Sequence, residues 1–346
     1  MRKFLWFAGG VLVAALALWT GVWLYAARQI ETRLARWQQD QAAAGVTLDW
    51  RTGTLKGWPF GWRLELERPH AAGAGPAGWR WSGDRLVARL DPRDLGHVSF
   101  RLPGEQKFEL GSGDLAVAVD LRAASPLWAL RFDGQGRVAE LGLEFETVEL
   151  RTGSNAHWSA RRVAATLAPH RPDVPTTSSD MLDLKAEIDA LRLPAPVAAA
   201  AVLGRDVKSF AVKGRLEGPV RGASLAEALV AWRDAGGAVQ VTALALEWGA
   251  LRLRGDATLA LDDQNRPLGA GTLRIAGAGE TLDALAQSGT IDARNAALLK
   301  IALAFLARND PNNGGAPTVQ IPFAAQDGAL SVHRFRLLNL SPLAFE

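Results

Sequence analysis

The chain has 346 residues, no cysteine and a net charge of only +3. That excludes disulfides, thiolate nucleophiles and cysteine-ligated metals. No run of basic residues interleaves with aromatics, so the pattern argues against a nucleic-acid partner, and 13 tryptophans stand against a single tyrosine.

Arg2 and Lys3 precede a stretch from Phe4 to Ala27 that carries no charge. As a helix it would extend roughly 36 Å, enough for a hydrocarbon core of about 30 Å. Trp6, Trp19, Trp23 and Tyr25 lie near its ends, where amphipathic rings favour the headgroup level. The run is longer than the apolar region of a secretory signal, and Tyr25-Ala26-Ala27 lacks the small residue three places before a cut. The expectation is therefore an uncleaved single transmembrane helix. Ile30, Leu34 and Trp37 continue one helical face, and Gly45 offers a stop, so 1–44 reads as anchor plus juxtamembrane helix. A two-residue basic tail favours a cytoplasmic N-terminus against the pull of Arg28, Arg33 and Arg36. The rest would then be exported to the periplasm.

From Val46 the period changes from 3.6 to 2. In Gly57–Glu67 the positions Trp58, Phe60, Trp62, Leu64 and Leu66 alternate with largely polar ones, which predicts a strand with one buried and one solvated face. Pro59 belongs at its start or on an edge. Trp79 and Trp81 share a face in the next strand, and shorter alternating pieces follow to Leu167, separated by Gly, Pro and Asp turns. These make 45–168 an antiparallel β region, and the Pro/Ser/Thr-rich 169–180 a linker. The region 181–346 reads as further β structure with packed helices. Strands are expected at Leu182–Leu193, Val207–Leu216, Ala238–Trp248, Ala250–Leu261, Gly269–Gly277, Thr318–Phe323 and Ala329–Leu338. Helices are expected near Pro196–Leu203, from the capping box Ser224-Leu225-Ala226-Glu227 through Trp232, near Thr281–Gln287 and at Ile291–Arg308. The stripe Leu225, Ala228, Leu229 and Trp232 should cover a sheet face. Ile291–Arg308 is too interrupted by charge to span a membrane and reads as buried or interfacial.

One pattern, apolar-x-Leu-acid-aromatic followed by Leu-base-Gly, occurs from Val46, from Leu141 and from Leu244. It reads either as one hairpin style repeated by duplication or as chance similarity between amphipathic hairpins.

No motif carries chemistry. His70, His97, His157, His170 and His333 are scattered. Asp262-Asp263-Gln264-Asn265 lacks the glycine and distal glutamate of a calcium loop and reads as a hairpin turn. Gly269-x-Gly271 does not open a helix after a strand, so no phosphate cradle is expected. No catalytic residue, cofactor or metal ligand is nominated.

GWPFGWRLEL at 57–66, soon after an apolar helix, resembles a family of Gram-negative envelope proteins, domain of unknown function 2125. Trp232-Arg233-x-Ala235-Gly236-Gly237, Leu246-Glu247-Trp248-Gly249 and Gly255-x-x-x-Leu259-x-Leu261 extend the resemblance along the chain. Gly61-Trp62 departs from it, where family members often have a basic and a smaller apolar residue. The resemblance implies inner-membrane anchoring and supplies no activity. An inner-membrane helix feeding an amphipathic sheet is more loosely similar to AsmA-like envelope proteins, whose curved sheets shield lipid tails.

The expected architecture is mainly β with a few helices (α+β), a long curved antiparallel sheet behind one transmembrane helix. The expected role is non-enzymatic: binding or scaffolding in the envelope, with phospholipid on an apolar sheet face or an envelope protein as partner. Trp50, Trp58, Phe60, Trp62, Trp79 and Trp81 are the candidate groove residues, with ordinary sheet core as the competing role for these aromatics. A hydrolase with an unidentified carboxylate pair, and a structural partner using Ile30–Trp37 beside the bilayer, are the alternatives.

Overall fold

The structure is a computed structural model that describes residues 2–73, 78–111, 117–134, 138–153, 156–170, 181–195, 197–220, 225–289, 291–309, 317–332 and 335–343. The chain divides into two compact units, Met1–Ala139 and Glu140–Glu346. The expected linker falls largely outside the described residues, as do the capping residue Ser224 and His333.

The first unit opens with one continuous helix, α1 (Arg2–Ala43). Its sheltered positions include Trp19, Trp23, Ala27, Ile30, Leu34 and Gln38, the three-and-four spacing of a helix with one packed face. Trp37, expected on that face, points off it and is 49% exposed. Among the described residues no helix is long and apolar enough to cross a membrane; the side chains of 2–15 lie outside them.

The strands of this unit are β1 (Val46–Asp49), β2 (Thr52–Lys56), β3 (Trp62–Glu67), β4 (His70–Gly73), β5 (Trp79–Gly83), β6 (Arg85–Asp91), β7 (Asp94–Arg101), β8 (Glu105–Leu110), β9 (Val117–Arg122) and β10 (Leu127–Phe132). They form two antiparallel ladders. One runs β1-β4-β5-β8-β9 and the other β2-β3-β6-β7-β10. Consecutive strands such as β1 and β2 are thus two halves of one long strand, interrupted at the same level as their neighbours. At these interruptions the apolar alternation takes one extra residue, from Trp50 to Gly53, from Leu66 to Pro69 and from Gly83 to Leu86. An extra residue of this kind bends a strand while keeping its apolar side on one face. Arg68 adopts φ 48° there. Backbone bonds stitch the interruptions together: Arg51 N–H to Glu67 O at 2.9 Å, Arg68 N–H to Asp84 O at 3.0 Å and Asp84 N–H to Glu105 O at 3.3 Å.

The strand expected from Gly57 begins only at Trp62. Residues 57–61 are a tight turn, with a cis Trp58–Pro59 bond and Gly57 at φ 114°. Phe60 and Gly61 both donate their N–H to Gly57 O, at 2.9 and 3.1 Å. A Cβ on Gly57 would stand 2.7 Å from Gly61 O, so the turn admits only glycine there.

The second unit is a long antiparallel meander of β11 (Val138–Thr152, whose first two residues precede the unit boundary), β12 (His157–Pro169), β13 (Met181–Arg192), β14 (Asp206–Glu217), β15 (Ala238–Trp248), β16 (Leu251–Leu261), β17 (Pro267–Ala276), β18 (Arg308–Asn309), β19 (Pro317–Gln326), β20 (Ala329–Val332) and β21 (Phe335–Asn339). Each pairs with its chain neighbour, except that β19 takes both β17 and β18. The helices α2 (Ala198–Leu203), α3 (Leu225–Asp234), α4 (Ala278–Gln287) and α5 (Ala293–Leu306) lie in the connections between strands. Asp292 caps α5 by accepting from Arg294 N and Asn295 N. The Asp262–Arg266 segment is the expected hairpin turn, closed by Asp262 Oδ1, which accepts from Gln264 N and Arg266 N at 2.9 Å each.

The side chain of Leu225 in the α3 stripe lies outside the described residues, and Ala228 and Leu229 are half-buried. α3 meets the sheet through Trp232, which is 6% exposed and donates its indole N–H to Glu217 O, at the last residue of β14, at 2.8 Å. The three repeats of the apolar-acid-aromatic pattern also diverge. The first is the interrupted strand β1–β2, the second lies within β11, and the third is the β15–β16 hairpin. Their shared feature is the period-2 alternation that any half-buried strand carries.

Candidate functional site

Register decides which side chains share a face, and in both units it sorts them by polarity. In the first unit Leu55, Leu64, Ala88, Phe100 and Trp128 form one row across five strands. Trp62, Leu90, Val98 and Leu130 form the next. In the other ladder Leu48, Ala71, Trp81, Phe108 and Val119 align, and beside them Val46, Gly73, Trp79, Leu110 and Val117. The opposite faces carry rows such as Lys56, Arg63 and Arg89, and Asp49, His70, Ser82, Lys107 and Asp120.

The second unit repeats this on a larger scale. Phe145, Val163, Ile188, Phe210, Leu246, Leu253, Ile275 and Val319 form an all-apolar row across eight strands. Leu143, Ala165, Ala186, Val212, Leu244, Gly255, Leu273 and Ile321 form a second, and Leu141, Leu167, Leu184, Gly214, Val241, Ala257, Gly271 and Phe323 a third. Helices reach this sheet at its ends, where Leu193, Ala200 and Val207 make a small core with Trp158, Val197 and Trp248 against them.

Most side chains in these rows are half-buried; the covered exceptions include Trp62 against Trp23 of α1 and Leu246 against the small core that holds Ala200 of α2. Among the described residues no large side chain is less than 2% exposed. A two-layer domain of this length would enclose several. The apolar rows are therefore candidate ligand-facing surfaces in each unit.

The six predicted groove residues divide four to two. Trp62 (7% exposed) sits in the apolar face of the first unit and donates its indole N–H to Trp23 O of α1 at 3.4 Å. Trp81 donates to Gln106 Oε1 at 3.1 Å, which pairs a polar group that is itself only 3% exposed. Trp79 lies over Gly73 and Trp50 over Gly53, both on the same face. Trp58 and Phe60 are absent from it. They occupy the 57–61 turn and stand 47% and 83% exposed. Leu64, Phe100, Phe108 and Leu130 belong to the face and were not singled out. Their alternation was in the sequence, but only cross-strand register shows that they meet.

The polar faces are laced with ion pairs. Arg162 lies 2.9 Å from Glu144 and 3.4 Å from Glu187, Lys185 lies 2.8 Å from Glu187, and Lys208 lies 2.7 Å from Glu247. Hydrogen bonds from Lys56, Lys185 and Lys208 hold the carboxyls of Glu65, Glu187 and Glu247 below the ordinary range. A general acid of a polymer hydrolase needs the opposite shift.

A second exposed apolar surface lies on a helix. On α5, Leu298, Leu299, Ile301, Phe305 and Leu306 are 49–86% exposed, so the helix expected to be buried or interfacial is not buried within this unit.

A family model described as "Uncharacterized protein conserved in bacteria (DUF2125)" matches residues 23–340. The chain belongs to that bacterial family. No curated protein and no solved structure matches it.

Proposed function

We propose that this member of the DUF2125 family is a non-enzymatic, single-pass inner-membrane protein whose exported part holds phospholipid on the apolar side of its sheet. The observation that carries the reading is the set of apolar rows in each unit, continuous from strand to strand and left half-open. Acyl chains are a fitting occupant: they are long, need no hydrogen-bond partner and can lie along a row of side chains. The aligned interruptions in the first unit support a curved sheet, since each extra residue turns its strand. The uncharged Phe4–Ala27 stretch supplies the anchor, with Arg2 and Lys3 on the cytoplasmic side and the remainder in the periplasm. The likeness to AsmA-like envelope proteins belongs to this proposal.

The test is photo-crosslinking in cells with benzoylphenylalanine at Phe210, on the apolar face, and at Ala211, the next residue on the opposite face. A phospholipid adduct at 210 and none at 211 is expected. Absence of adduct at 210, while the same probe at Leu18 in α1 captures lipid, would overturn lipid binding and leave a scaffold.

A further inference from the structure

The 57–61 turn does not project freely. It is bound to α1 by two indole hydrogen bonds, from Trp19 Nε1 to Pro59 O at 2.7 Å and from Trp23 Nε1 to Gly61 O at 2.8 Å. Trp19 and Trp23 are one helical turn apart on the same face, so together they fix both the height and the orientation of the turn. That height lies inside the uncharged stretch Phe4–Ala27. The helix surface at this level is apolar and open: Leu18, Val22, Leu24 and Tyr25 are 46–73% exposed. Trp58 and Phe60 extend that surface sideways.

We propose that the Trp58–Phe60 turn is a second membrane contact, with Phe60 entering the headgroup–acyl boundary of a phospholipid bilayer beside the exit end of α1. The inference rests on the reading of residues 4–27 as a membrane anchor and adds a site to it. Three observations converge. First, the exposed groups are an indole and a phenyl ring, the side chains that favour this depth.

Second, three carbonyls of the turn, those of Gly57, Pro59 and Gly61, are paired within the protein, which suits a water-poor region, where an unpaired carbonyl costs several kcal/mol. Gly57 O accepts from Phe60 N and Gly61 N. Pro59 O and Gly61 O accept from the two indoles. Pro59 has no N–H to satisfy. Indole donors usually face water or headgroups, and here they are spent on the turn.

Third, the charge beside the tip suits anionic headgroups. Lys56, Arg63 and Arg89 stand in register on the polar face, and Glu65 offsets part of their charge, lying 2.9 Å from Lys56 and 3.9 Å from Arg63. On the adjoining turn Arg93 is exposed, as is Asp91, which accepts from the Arg93 N–H at 2.8 Å, and the cluster stays net positive.

The two ends of α1 separate this from a generic sticky surface. Gln38 donates to Leu48 O at 2.6 Å, so the helix stays on the sheet from residue 19 to residue 38. At 1.5 Å per residue this places Gln39 roughly 30 Å further from the membrane than Leu18.

Because the chain has no cysteine, Phe60→Cys, Leu18→Cys and Gln39→Cys each create one labelling site. The full chain carrying a nitroxide at one of them is reconstituted into vesicles of phosphatidylethanolamine and phosphatidylglycerol, and collision with oxygen and with a water-soluble nickel chelate is measured. The expected result is loss of chelate access with retained oxygen access at 18 and 60, and full chelate access at 39. A label at 60 open to the chelate while 18 stays shielded would overturn the tip contact and leave the anchor standing. Exposure at 18 would overturn the anchor itself and the inference with it. A label at 60 closed to both reagents would mean that protein covers the tip, again against the proposal. In a second variant, Trp19→Phe with Trp23→Phe removes the donors and keeps the aromatic bulk. The label at 60 is then expected to regain chelate access.

Discussion

Whether the apolar face is open or sealed can be decided by one substitution, Phe210→Ser. Phe210 is half-buried in the middle of the eight-strand row, between Ile188 and Leu246. If the face is open, Phe210 has lateral neighbours and none above. Truncation then exposes about 60 Å² of apolar area, worth about 1.5 kcal/mol at ~25 cal/mol per Å². The new hydroxyl faces solvent and adds nothing. In a sealed core, removing the ring would cost about 3–5 kcal/mol and the stranded hydroxyl about 1–3 more. Hydrogen exchange of the β13–β15 amides reads this difference locally, which suits a chain of two units that need not unfold together. An open face predicts about tenfold faster exchange, because 1.4 kcal/mol is a factor of ten. Trp232→Ala, which removes a side chain only 6% exposed, is the buried reference and should accelerate β14 and β15 exchange by at least about a hundredfold. An acceleration at Phe210→Ser equal to or above that reference would refute the open face.

Two further outcomes follow from particular contacts. A Cβ on Gly237 would overlap the Trp232 ring, so Gly237→Ala should destabilise by about 1–3 kcal/mol alone and by nearly nothing on a Trp232→Ala background; additivity in a urea double-mutant cycle would show that the ring does not pack there. The carboxyls of Glu65, Glu187 and Glu247 are depressed by their lysine partners, so their stabilisation is complete above the unfolded value near 4.5 and is lost as pH falls through the lower folded values. Urea midpoints should be flat from neutral pH down to that value and then fall, less steeply in high salt; a midpoint that rises on acidification would contradict the assignment.

Much of the fold was legible in composition and period. The change from period 3.6 to 2 after Gly45, the strand positions in the second unit, the two helices flanking Gly289 and the Asp262 turn are local facts, and local rules found them. The failures have a common physical origin. Trp58 and Phe60 alternate with Trp62 and Leu64 as strand residues would, and only the geometry of Gly57 and Pro59 converts the first two into a turn. The extra residues at Trp50, Leu66 and Gly83 split long strands into what read as short ones. Trp37 has the spacing of a packed residue and lies off the packed face. A turn, an inserted residue or a one-residue offset decides each of these cases, and sequence spacing alone does not report them.

The same offsets separate the two kinds of aromatic residue in the first unit. Had the alternation from Trp58 to Leu66 run unbroken, all the aromatics would have joined one apolar surface with a single occupant. The turn instead divides them. Trp62, held against Trp23 O, stays with Leu64 and Phe100 on the sheet, whereas Trp58 and Phe60 are carried to the level of Trp19. This gives a reason for the spacing in GWPFGW. Gly57 allows the reversal, Pro59 and Gly61 present carbonyls to two indoles, and Phe60 is the side chain left outside. On this account Trp62 belongs to the lipid-holding face and Phe60 to the bilayer contact, so the two sites should fail separately. A polar residue at Phe60 should alter how the sheet meets the membrane and spare photo-crosslinking at Phe210. Loss of both together would refute the separation of the two sites.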